Sequence, residues 1–368
     1  MTTEGLGAVV ESQGGPVHIE PILIEDPGPG EVRVAVSANG LCHSDHWAIQ
    51  HGNWGEPFPM LLGHEGAGVI DALGDGVEGL ATGTPVLLAW AVPCGTCPLC
   101  VRGDPRQCQH AWAQPPRMRI ARTGAPLVGT LSLGTLATHV VVNAPQVIPM
   151  PAGADPISAC LLGCGASTGV GAAVNTAGVQ PGTTVAVIGL GGIGLAALQG
   201  ARIAGAARII AVDLVASKFD EARRFGATDT VDASAENPVE AVRALTGGVD
   251  AAFEATGVAS VVAQAVAMLG RSGTAVAIGV PEPGSQVTLA WGGGVPEAAY
   301  SNKARLLVSD GGDPLAEDFR TWLDWSVDGR LDLASMVSQV VPFTDEDLAE
   351  AFRAMLAGEV VRTVIRIA

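Results

Sequence analysis

Four cysteines fall within a fifteen-residue segment, in the pattern Cys94-x2-Cys97-x2-Cys100-x7-Cys108. Four thiolates on a turn-rich loop can close a tetrahedral shell around one zinc ion and leave no open position for a substrate. Thiolates also hold iron–sulfur clusters. Seven cysteines in a chain of this size, if it is cytosolic, indicate metal ligands or reactive thiols and not a disulfide framework. The spacing therefore predicts a structural zinc site, with an iron–sulfur cluster as the alternative.

A glycine-rich segment follows the apolar run Thr184–Ile188, which is typical of a buried strand. The residues Gly189-Leu190-Gly191-Gly192-Ile193-Gly194 fit the G-x-G-x-x-G fingerprint and open an alanine-rich helix. In this context the first glycine permits a tight turn, the second lets the backbone approach a pyrophosphate, and the third allows close packing of helix on strand. We therefore predict a dinucleotide site at the helix N-terminus, against the alternative of a plain glycine-rich turn.

Asp213 stands nineteen residues after Gly194, at the end of the next predicted strand. A carboxylate at this place accepts hydrogen bonds from the ribose hydroxyls of NAD and repels the 2′-phosphate of NADP. The residues from Leu214 to Ser217 include no arginine, and Lys218 is the nearest cation. The sequence therefore predicts NAD as the cofactor.

Three further cysteines, Cys42, Cys160 and Cys164, lie outside the four-cysteine loop, and His64 lies in the segment Gly63-His64-Glu65-Gly66. Two thiolates and one imidazole would leave a fourth position for water or substrate, which is the arrangement of a catalytic zinc ion. The spacing leaves this open, because isolated cysteines are often small core residues. Cys160 has no partner in such a set and is predicted to be a core residue.

The elements that must position these residues differ between two parts of the chain. Up to about residue 165, short runs such as Val32–Val36 alternate with turns rich in glycine and proline, which predicts a mostly β or α+β unit. From about Thr168, strands such as Val249–Phe253 and Thr274–Ile278 alternate with helical segments. That alternation predicts a doubly wound parallel sheet, so the fold class is α/β.

The end of the chain combines two amphipathic helical segments, at 318–327 and 344–356, with a last strand at 363–367. We expect this end to fold back on the first domain. The predicted domains are therefore residues 1–165 together with 309–368, and the dinucleotide-binding unit 166–308.

The composition excludes several classes of function. The formal net charge of -17 argues against nucleic acid and anionic membranes as partners. The start of the chain has no basic segment followed by an apolar one, so no signal peptide is expected. The most apolar stretch, from Thr184 to Val212, is interrupted by Gln199, Arg202 and Arg208, which suits a buried core better than a bilayer span. We expect a cytoplasmic protein.

Taken together, these residues resemble the zinc-containing medium-chain alcohol dehydrogenases along essentially the whole chain. The motifs that carry the resemblance are the Gly63-His64-Glu65 segment, the four-cysteine loop, the glycine fingerprint, and two others, Gly163-Cys164-Gly165-Ala166-Ser167-Thr168-Gly169 and Arg362-Thr363. The resemblance implies a GroES-like, mostly-β catalytic domain beside a Rossmann domain. It also implies an enzyme that moves hydride between NAD and an alcohol, aldehyde or ketone.

The resemblance assigns a role to each candidate site residue. It implies two zinc ions per chain, the catalytic one held by Cys42, His64 and Cys164, with Glu65 and Asp45 close behind. Ser44 would accept the alcohol proton. The residues that would hold the cofactor, besides the glycine segment and Asp213, are Lys218, His43, Arg362, Thr168, Ile193 and Val280.

One position departs from the family pattern. Many members carry a histidine five residues after the first zinc cysteine, where it passes the proton to solvent, but this chain has Trp47 there. His46, His51 or water would have to take over. Trp90 aligns with an aromatic position of the family's substrate pocket, and Trp47 offers a second indole. Two indoles favour an apolar or aromatic substrate, although both could simply pack in the core.

Other activities on the same scaffold remain open. They are oxidation of a thiol adduct of formaldehyde, reduction of a conjugated double bond in secondary metabolism, and recycling of a permanently bound NAD. A non-catalytic binding protein that kept the fold is a further alternative, disfavoured by the intact set of zinc ligands with Ser44 and Asp213. The family commonly pairs through the edge of the cofactor domain, and Val287 to Ala304 lies near that edge. We therefore expect a homodimer or a homotetramer.

Overall fold

The structure is a computed structural model that describes residues 2–52, 57–108, 117–292, 295 and 297–368 of the 368-residue chain. Contacts divide the chain into two compact units. The first comprises residues 1–164 and 314–368, and the second comprises residues 165–313. The boundaries expected from the sequence stood at 165/166 and 308/309, so the second boundary differs by five residues.

Strands and helices alternate along the described residues, with strands more frequent in the first unit. The strands are β1 Thr2–Val10, β2 Val17–Glu25, β3 Glu31–Gly40, β4 Met60–Leu61, β5 Gly66–Leu73, β6 Pro85–Leu88, β7 Met118–Ile120, β8 Pro126–Gly129, β9 His139–Asn143, β10 Val147–Pro149, β11 Thr184–Ile188, β12 Arg208–Asp213, β13 Asp229–Asp232, β14 Val249–Glu254, β15 Leu269–Ala277, β16 Arg305–Val308, β17 Val337–Pro342 and β18 Arg362–Arg366. The helices are α1 His43–His51, α2 Pro98–Val101, α3 Pro156–Ala159, α4 Gly165–Gly171, α5 Gly192–Ile203, α6 Phe219–Arg224, α7 Pro238–Thr246, α8 Ala259–Met268, α9 Ala299–Asn302, α10 Ala316–Val327 and α11 Asp345–Leu356.

The first unit is built on two sheets. One is a closed barrel with the strand order β1-β2-β7-β8-β4, and the other has the order β10-β6-β5-β3-β18-β17, with β9 paired to β3. In β3 the side chains of Val32, Val34 and Val36 are buried in one apolar cluster, which is the alternation expected of a strand with one core face. The late strand β18 pairs antiparallel with β3, so the end of the chain does return to this unit.

The second unit contains a six-stranded parallel sheet in the order β13-β12-β11-β14-β15-β16. This is the doubly wound order, in which the direction of winding reverses between β11 and β14, and ligands bind at the carboxyl ends of the strands there. The inner strands are continuous buried apolar runs such as Val185–Ile188, as strands covered on both faces require. The predicted combination of a mostly-β unit and a parallel α/β unit is confirmed.

Helix ends differ slightly from the sequence expectation, for local reasons. The segment from Lys218 to Phe225, expected as one helix, is a 3₁₀ turn over Ala216–Lys218 followed by α6. Helix α11 begins after Thr344, whose hydroxyl accepts a hydrogen bond from the amide of Asp347 and so caps the first turn.

Among the described residues, no single helix is long and apolar enough to cross a membrane. One bent pair, Pro156–Gly163 with Gly165–Thr176, meets that criterion by length and composition only. Most of its side chains are buried within the protein.

Candidate active site

Four side chains that could ligate a metal meet in the interior of the first unit. One ligand atom from each of Cys42, His64, Glu65 and Cys164 lies within 4.8 Å of the others, and all four side chains are buried. Cys42 stands at the start of α1, His64 and Glu65 lie between β4 and β5, and Cys164 follows a 3₁₀ turn. The fold thus joins residues separated by up to 122 positions, and it adds Glu65 to the three ligands expected from the sequence.

A buried carboxylate holds two of these groups in place. Asp45 accepts hydrogen bonds from the amide of Cys42 at 3.1 Å and from the amide of Gly63 at 3.0 Å, and its Oδ1 lies 3.1 Å from Nδ1 of His64. When Nδ1–H donates to Asp45, the lone pair of the other ring nitrogen is free to bind a metal. That atom, Nε2 of His64, is buried and has no hydrogen-bond partner among the described residues. The donor set therefore fits a zinc ion.

The charges in this cluster support thiolate ligation. Donation from Cys164, with the nearby guanidinium charge of Arg362, lowers the pKa of Cys42 well below its usual range, whereas the pKa of Cys164 is raised by its contact with Cys42 and by burial. A bound cation would favour the thiolate form of both residues, because metal ligands must be deprotonated.

Glu65 is paired with Arg362, the first residue of β18, inside the same cluster. Burial raises the pKa of Glu65 to about 7, although the positive charge of Arg362 acts in the opposite direction. The Arg362 guanidinium donates to Glu65 Oε2 and is itself buried. Arg362 is therefore positioned to balance negative charge at the cluster, a role that the sequence did not suggest for it.

Two residues near the cluster, Gly163 and Cys160, are buried without being candidate ligands. A Cβ atom on Gly163 would lie 2.7 Å from Cα of Glu65, so a glycine is required for the backbone before Cys164 to approach the segment that carries Glu65. Cys160 is fully buried, and its Sγ donates to the carbonyl of Ile157 at 3.3 Å. It lies outside the candidate ligand set.

The four-cysteine loop forms a second cluster. The Sγ atoms of its members all lie within 4.8 Å of one another. Backbone amides point at the sulfurs: Cys97 N donates to Cys94 at 3.3 Å, and Cys94 N donates to Cys108 at 3.3 Å. Donation from the backbone and hydroxyl of Thr96 lowers the pKa of Cys94 to about 6. Amide donors stabilise thiolates, so this loop also fits a bound metal ion.

An ion pair that the sequence analysis missed attaches this loop to the rest of the unit. Arg106, two residues before the last cysteine, donates to Asp318 at 2.5 Å. The same carboxylate accepts the amide of Leu315 and thereby caps α10. The two partners are separated by 212 positions, and no local pattern marks either of them.

The glycine fingerprint has the geometry that its sequence predicts. Gly189 has a positive φ of 92°, and a Cβ there would lie 2.7 Å from Thr256. A Cβ on Gly194 would overlap the carbonyl oxygen of Gly189, so helix α5 packs tightly on the turn. A Cβ on Gly191, in contrast, would meet no atom of the described residues within 4 Å. The N-terminus of α5 therefore faces open space, which fits an incoming pyrophosphate.

Asp213 ends β12 beside this turn. Its Oδ2 accepts the amide of Leu190 at 2.7 Å and lies 3.4 Å from the ammonium of Lys218, and its Oδ1 accepts the amide of Val215 at 2.9 Å. The carboxylate is thus held by backbone on both sides, and its nearest cation is a partly exposed lysine. Leu214 and Val215 are exposed next to it.

The remaining predicted residues are divided between the two units. In the second unit Thr168 is buried in α4, Ile193 lies in the first turn of α5, and Val280 is exposed after β15. In the first unit the predicted residues of α1 are an exposed His43 and a half-buried Ser44 and His46.

The two predicted pocket tryptophans are half-buried in the first unit. The ring of Trp47 lies 4.9 Å from the ring of His51. Trp90 packs against the core cluster that contains Val34, and its indole Nε1 has no hydrogen-bond partner among the described residues.

Burial, with His43 and His51 nearby, lowers the pKa of His46. His46 is therefore a neutral imidazole near pH 7, as a proton acceptor must be.

Comparisons with known proteins agree with this geometry. Residues 28–152 match the family model described as alcohol dehydrogenase GroES-like domain, and residues 192–327 match the model described as zinc-binding dehydrogenase. The chain is 34% identical over 96% of its length to alcohol dehydrogenase class-3 of Myxine glutinosa, covering 95% of that protein. It is 34% identical over 98% of its length to S-(hydroxymethyl)glutathione dehydrogenase of Escherichia coli, covering 98% of that protein. Benzyl alcohol dehydrogenase of Acinetobacter calcoaceticus superposes with a TM-score of 0.88 at 27% identity, with both chains fully covered.

The two cysteine clusters predict the metal content of single-site variants. We expect two zinc ions per chain in the unmodified protein, and one in either Cys97→Ser or Cys164→Ser, because each variant breaks one ligand set. Cys97→Ser should also lower the unfolding temperature, since the loop would lose its cross-link. The matched control is Cys160→Ser, which should keep both metals. Elemental analysis with circular dichroism measures these results, and iron or a single metal in the unmodified protein would contradict them.

Proposed function

Since this chain belongs to the zinc-containing medium-chain alcohol dehydrogenases, we propose that it catalyses NAD-linked interconversion of alcohols with aldehydes or ketones. The observation that carries the proposal is the buried set of Cys42, His64 and Cys164, in which Nε2 of the imidazole has no hydrogen-bond partner among the residues that the structure describes. Because Glu65 is paired with Arg362, these three ligands would leave one coordination position for a substrate, as in catalytic zinc sites. The four-cysteine loop would hold a second, structural zinc ion.

The chemistry would be divided between the bound groups and the chain. A zinc ion held by Cys42, His64 and Cys164 would supply a Lewis acid for the substrate oxygen, and a bound nicotinamide would supply the hydride acceptor or donor. Asp45 fixes the tautomer and orientation of His64. Ser44, two residues after Cys42 in α1, would accept the alcohol proton. His46 and His51 on the same helix could pass it to water, because Trp47 has no group that binds and releases a proton near neutral pH.

An apolar alcohol is the substrate class that we favour. The half-buried Trp47 and Trp90 offer large apolar surfaces in the unit that carries the metal ligands. Benzyl alcohol dehydrogenase, a structural relative, acts on an aromatic alcohol according to its name. The net charge of -17 also disfavours strongly anionic substrates.

A second candidate is oxidation of a thiol adduct of formaldehyde. It is favoured by the name of the relative S-(hydroxymethyl)glutathione dehydrogenase at 34% identity. Glutathione carries two carboxylates, so such an adduct would need cations close to it, in a chain whose 20 lysines and arginines are outnumbered by 37 acidic residues. A neutral aromatic alcohol needs none.

A substrate panel distinguishes the two candidates. We expect kcat/KM with benzyl alcohol to exceed that with formaldehyde plus glutathione by at least about tenfold. The reason is that desolvating the charged adduct in an apolar pocket should weaken its binding by about 1.4 kcal/mol or more relative to the neutral alcohol. Initial rates of NADH formation, measured at equal NAD concentration, provide the comparison. The Cys164→Ser protein is the control for background turnover. Faster oxidation of the thiol adduct would select the second candidate.

Cofactor choice should follow from the charge of Asp213. NADP would place its phosphate against a carboxylate that is already held by two amides, and we expect a preference for NAD of roughly a hundredfold in kcat/KM. Asp213→Asn keeps an oxygen for the amide of Leu190 but removes the charge, so the preference should fall. The double variant Asp213→Gly with Leu214→Arg should favour NADP further. Equal kcat/KM for both cofactors in the unmodified protein would refute this role of Asp213.

Assembly through the edge of the second unit is also part of the proposal. Strand β16 is the last strand of the parallel sheet and leaves Leu306, Leu307 and Val308 exposed. An apolar edge strand is a template for pairing with another chain. Gly293 and Gly294, in the segment that the sequence analysis singled out here, lie outside the described residues. We propose that two copies pair along β16.

A charge placed in this edge should separate the copies. Leu307→Lys should give a monomer in sedimentation velocity at micromolar concentration, because two such strands would bring lysines together in a dry interface. Leu245→Lys is a matched control, since both leucines are 38% exposed and Leu245 lies at the end of α7, away from the edge. An unmodified protein that sediments only as a monomer would overturn the proposed assembly.

A further inference from the structure

One buried carboxylate in the second unit has no part in the chemistry described so far. Glu254 is the last residue of β14 and is 0% exposed. A carboxylate at such a depth is unfavourable unless hydrogen bonds compensate for the loss of water. The hydrogen bonds around Glu254 therefore have to compensate for the cost of burying it.

A single oxygen of Glu254 organises the turn that follows it. Oε1 accepts the amides of Thr256 at 2.6 Å and Gly257 at 3.0 Å, and it also accepts the hydroxyl of Thr256. The other oxygen, Oε2, is buried without a hydrogen-bond partner among the described residues. Burial raises the pKa of Glu254, although the donors at Oε1 lower it. The side chain thus acts as an acceptor that sets the path of residues 255–257.

This turn lies between two others at the carboxyl edge of the sheet. On one side, the amide of Ala255 donates to the carbonyl of Ile188, and a Cβ on Gly189 would be only 2.7 Å from the methyl group of Thr256. On the other side, a Cβ on Gly257 would overlap the carbonyl oxygen of Val280. The turn is therefore in close contact with both the glycine fingerprint and the segment after β15.

We propose that Glu254 is a positioning residue for the dinucleotide, acting through the 255–257 turn. By holding that turn, the carboxylate sets the spacing between Gly189, at the pyrophosphate, and Val280, at the nicotinamide. The inference rests on the proposed function, because it assumes that a dinucleotide occupies this edge. Without the acceptor, two amides and a hydroxyl lose their partner, and the turn must be ordered again when the cofactor binds.

Direct binding measurements on three variants test this role. Glu254→Gln keeps one oxygen for the three donors and should bind NADH within about threefold of the unmodified protein, whereas Glu254→Ala should weaken binding by about tenfold or more. Thr256→Val removes the hydroxyl, which donates to Glu254 and accepts the amide of Val258 at 3.2 Å, and should give an intermediate loss. The dissociation constant of NADH comes from calorimetry, and steady-state rates should show a raised KM for NAD with an unchanged KM for the alcohol.

The neighbouring Phe253→Leu variant is the control for a general loss of stability. Phe253 is fully buried on the same strand, so this change should lower the unfolding temperature and leave the NADH dissociation constant unchanged. Equal NADH affinity in Glu254→Ala and the unmodified protein would overturn the inference, as would an equal loss in Phe253→Leu. If Glu254→Ala does not fold, Thr256→Val decides: unchanged affinity rejects the role. Absence of NADH binding by the unmodified protein would instead overturn the proposed function, and this inference with it.

Discussion

Three donors converge on the buried carboxylate of Asp45: the amides of Cys42 and Gly63, and Nδ1 of His64. These contacts join the start of α1 to the segment before β5, which carries the imidazole. A carboxylate with no exposure to water needs such donors, and the donors come from the two backbone segments whose side chains would bind the metal. The geometry of the candidate catalytic site therefore depends on this one acceptor, and the charge of the imidazole depends on it as well.

The second unit uses carboxylates in a similar way at the carboxyl edge of its parallel sheet. Asp213 ends β12 and accepts the amide of Leu190 from the glycine turn, while Glu254 ends β14 and accepts amides from the following turn. Both residues satisfy backbone donors at a place where the sheet ladder has ended. Because the turns at this edge are in contact, the position of each one constrains its neighbours. This edge is where α/β sheets bind their ligands.

The net charge of -17 explains why these local arrangements are needed. A strongly acidic protein repels anionic ligands at long range, so an anionic cofactor must be attracted by groups close to it. The open N-terminus of α5 at Gly191 supplies amides and a positive dipole end, and Lys218 is the cation nearest to Asp213. In the first unit, Arg362 donates to Glu65 and would balance the negative charge of thiolates at Cys42 and Cys164.

The sequence alone determined the features that depend on short-range geometry. The glycine fingerprint, the strand that precedes it and Asp213 lie within thirty residues, so their spacing specifies one turn and one helix start. The four-cysteine loop is equally local. Only the tertiary structure could bring Cys164 to Cys42, place Glu65 among the candidate ligands, pair Arg106 with Asp318, or show that Glu254 is an acceptor for its own turn. Such contacts depend on how strands pair and on which groups are removed from water. Neither can be recognised from a spacing pattern in the sequence.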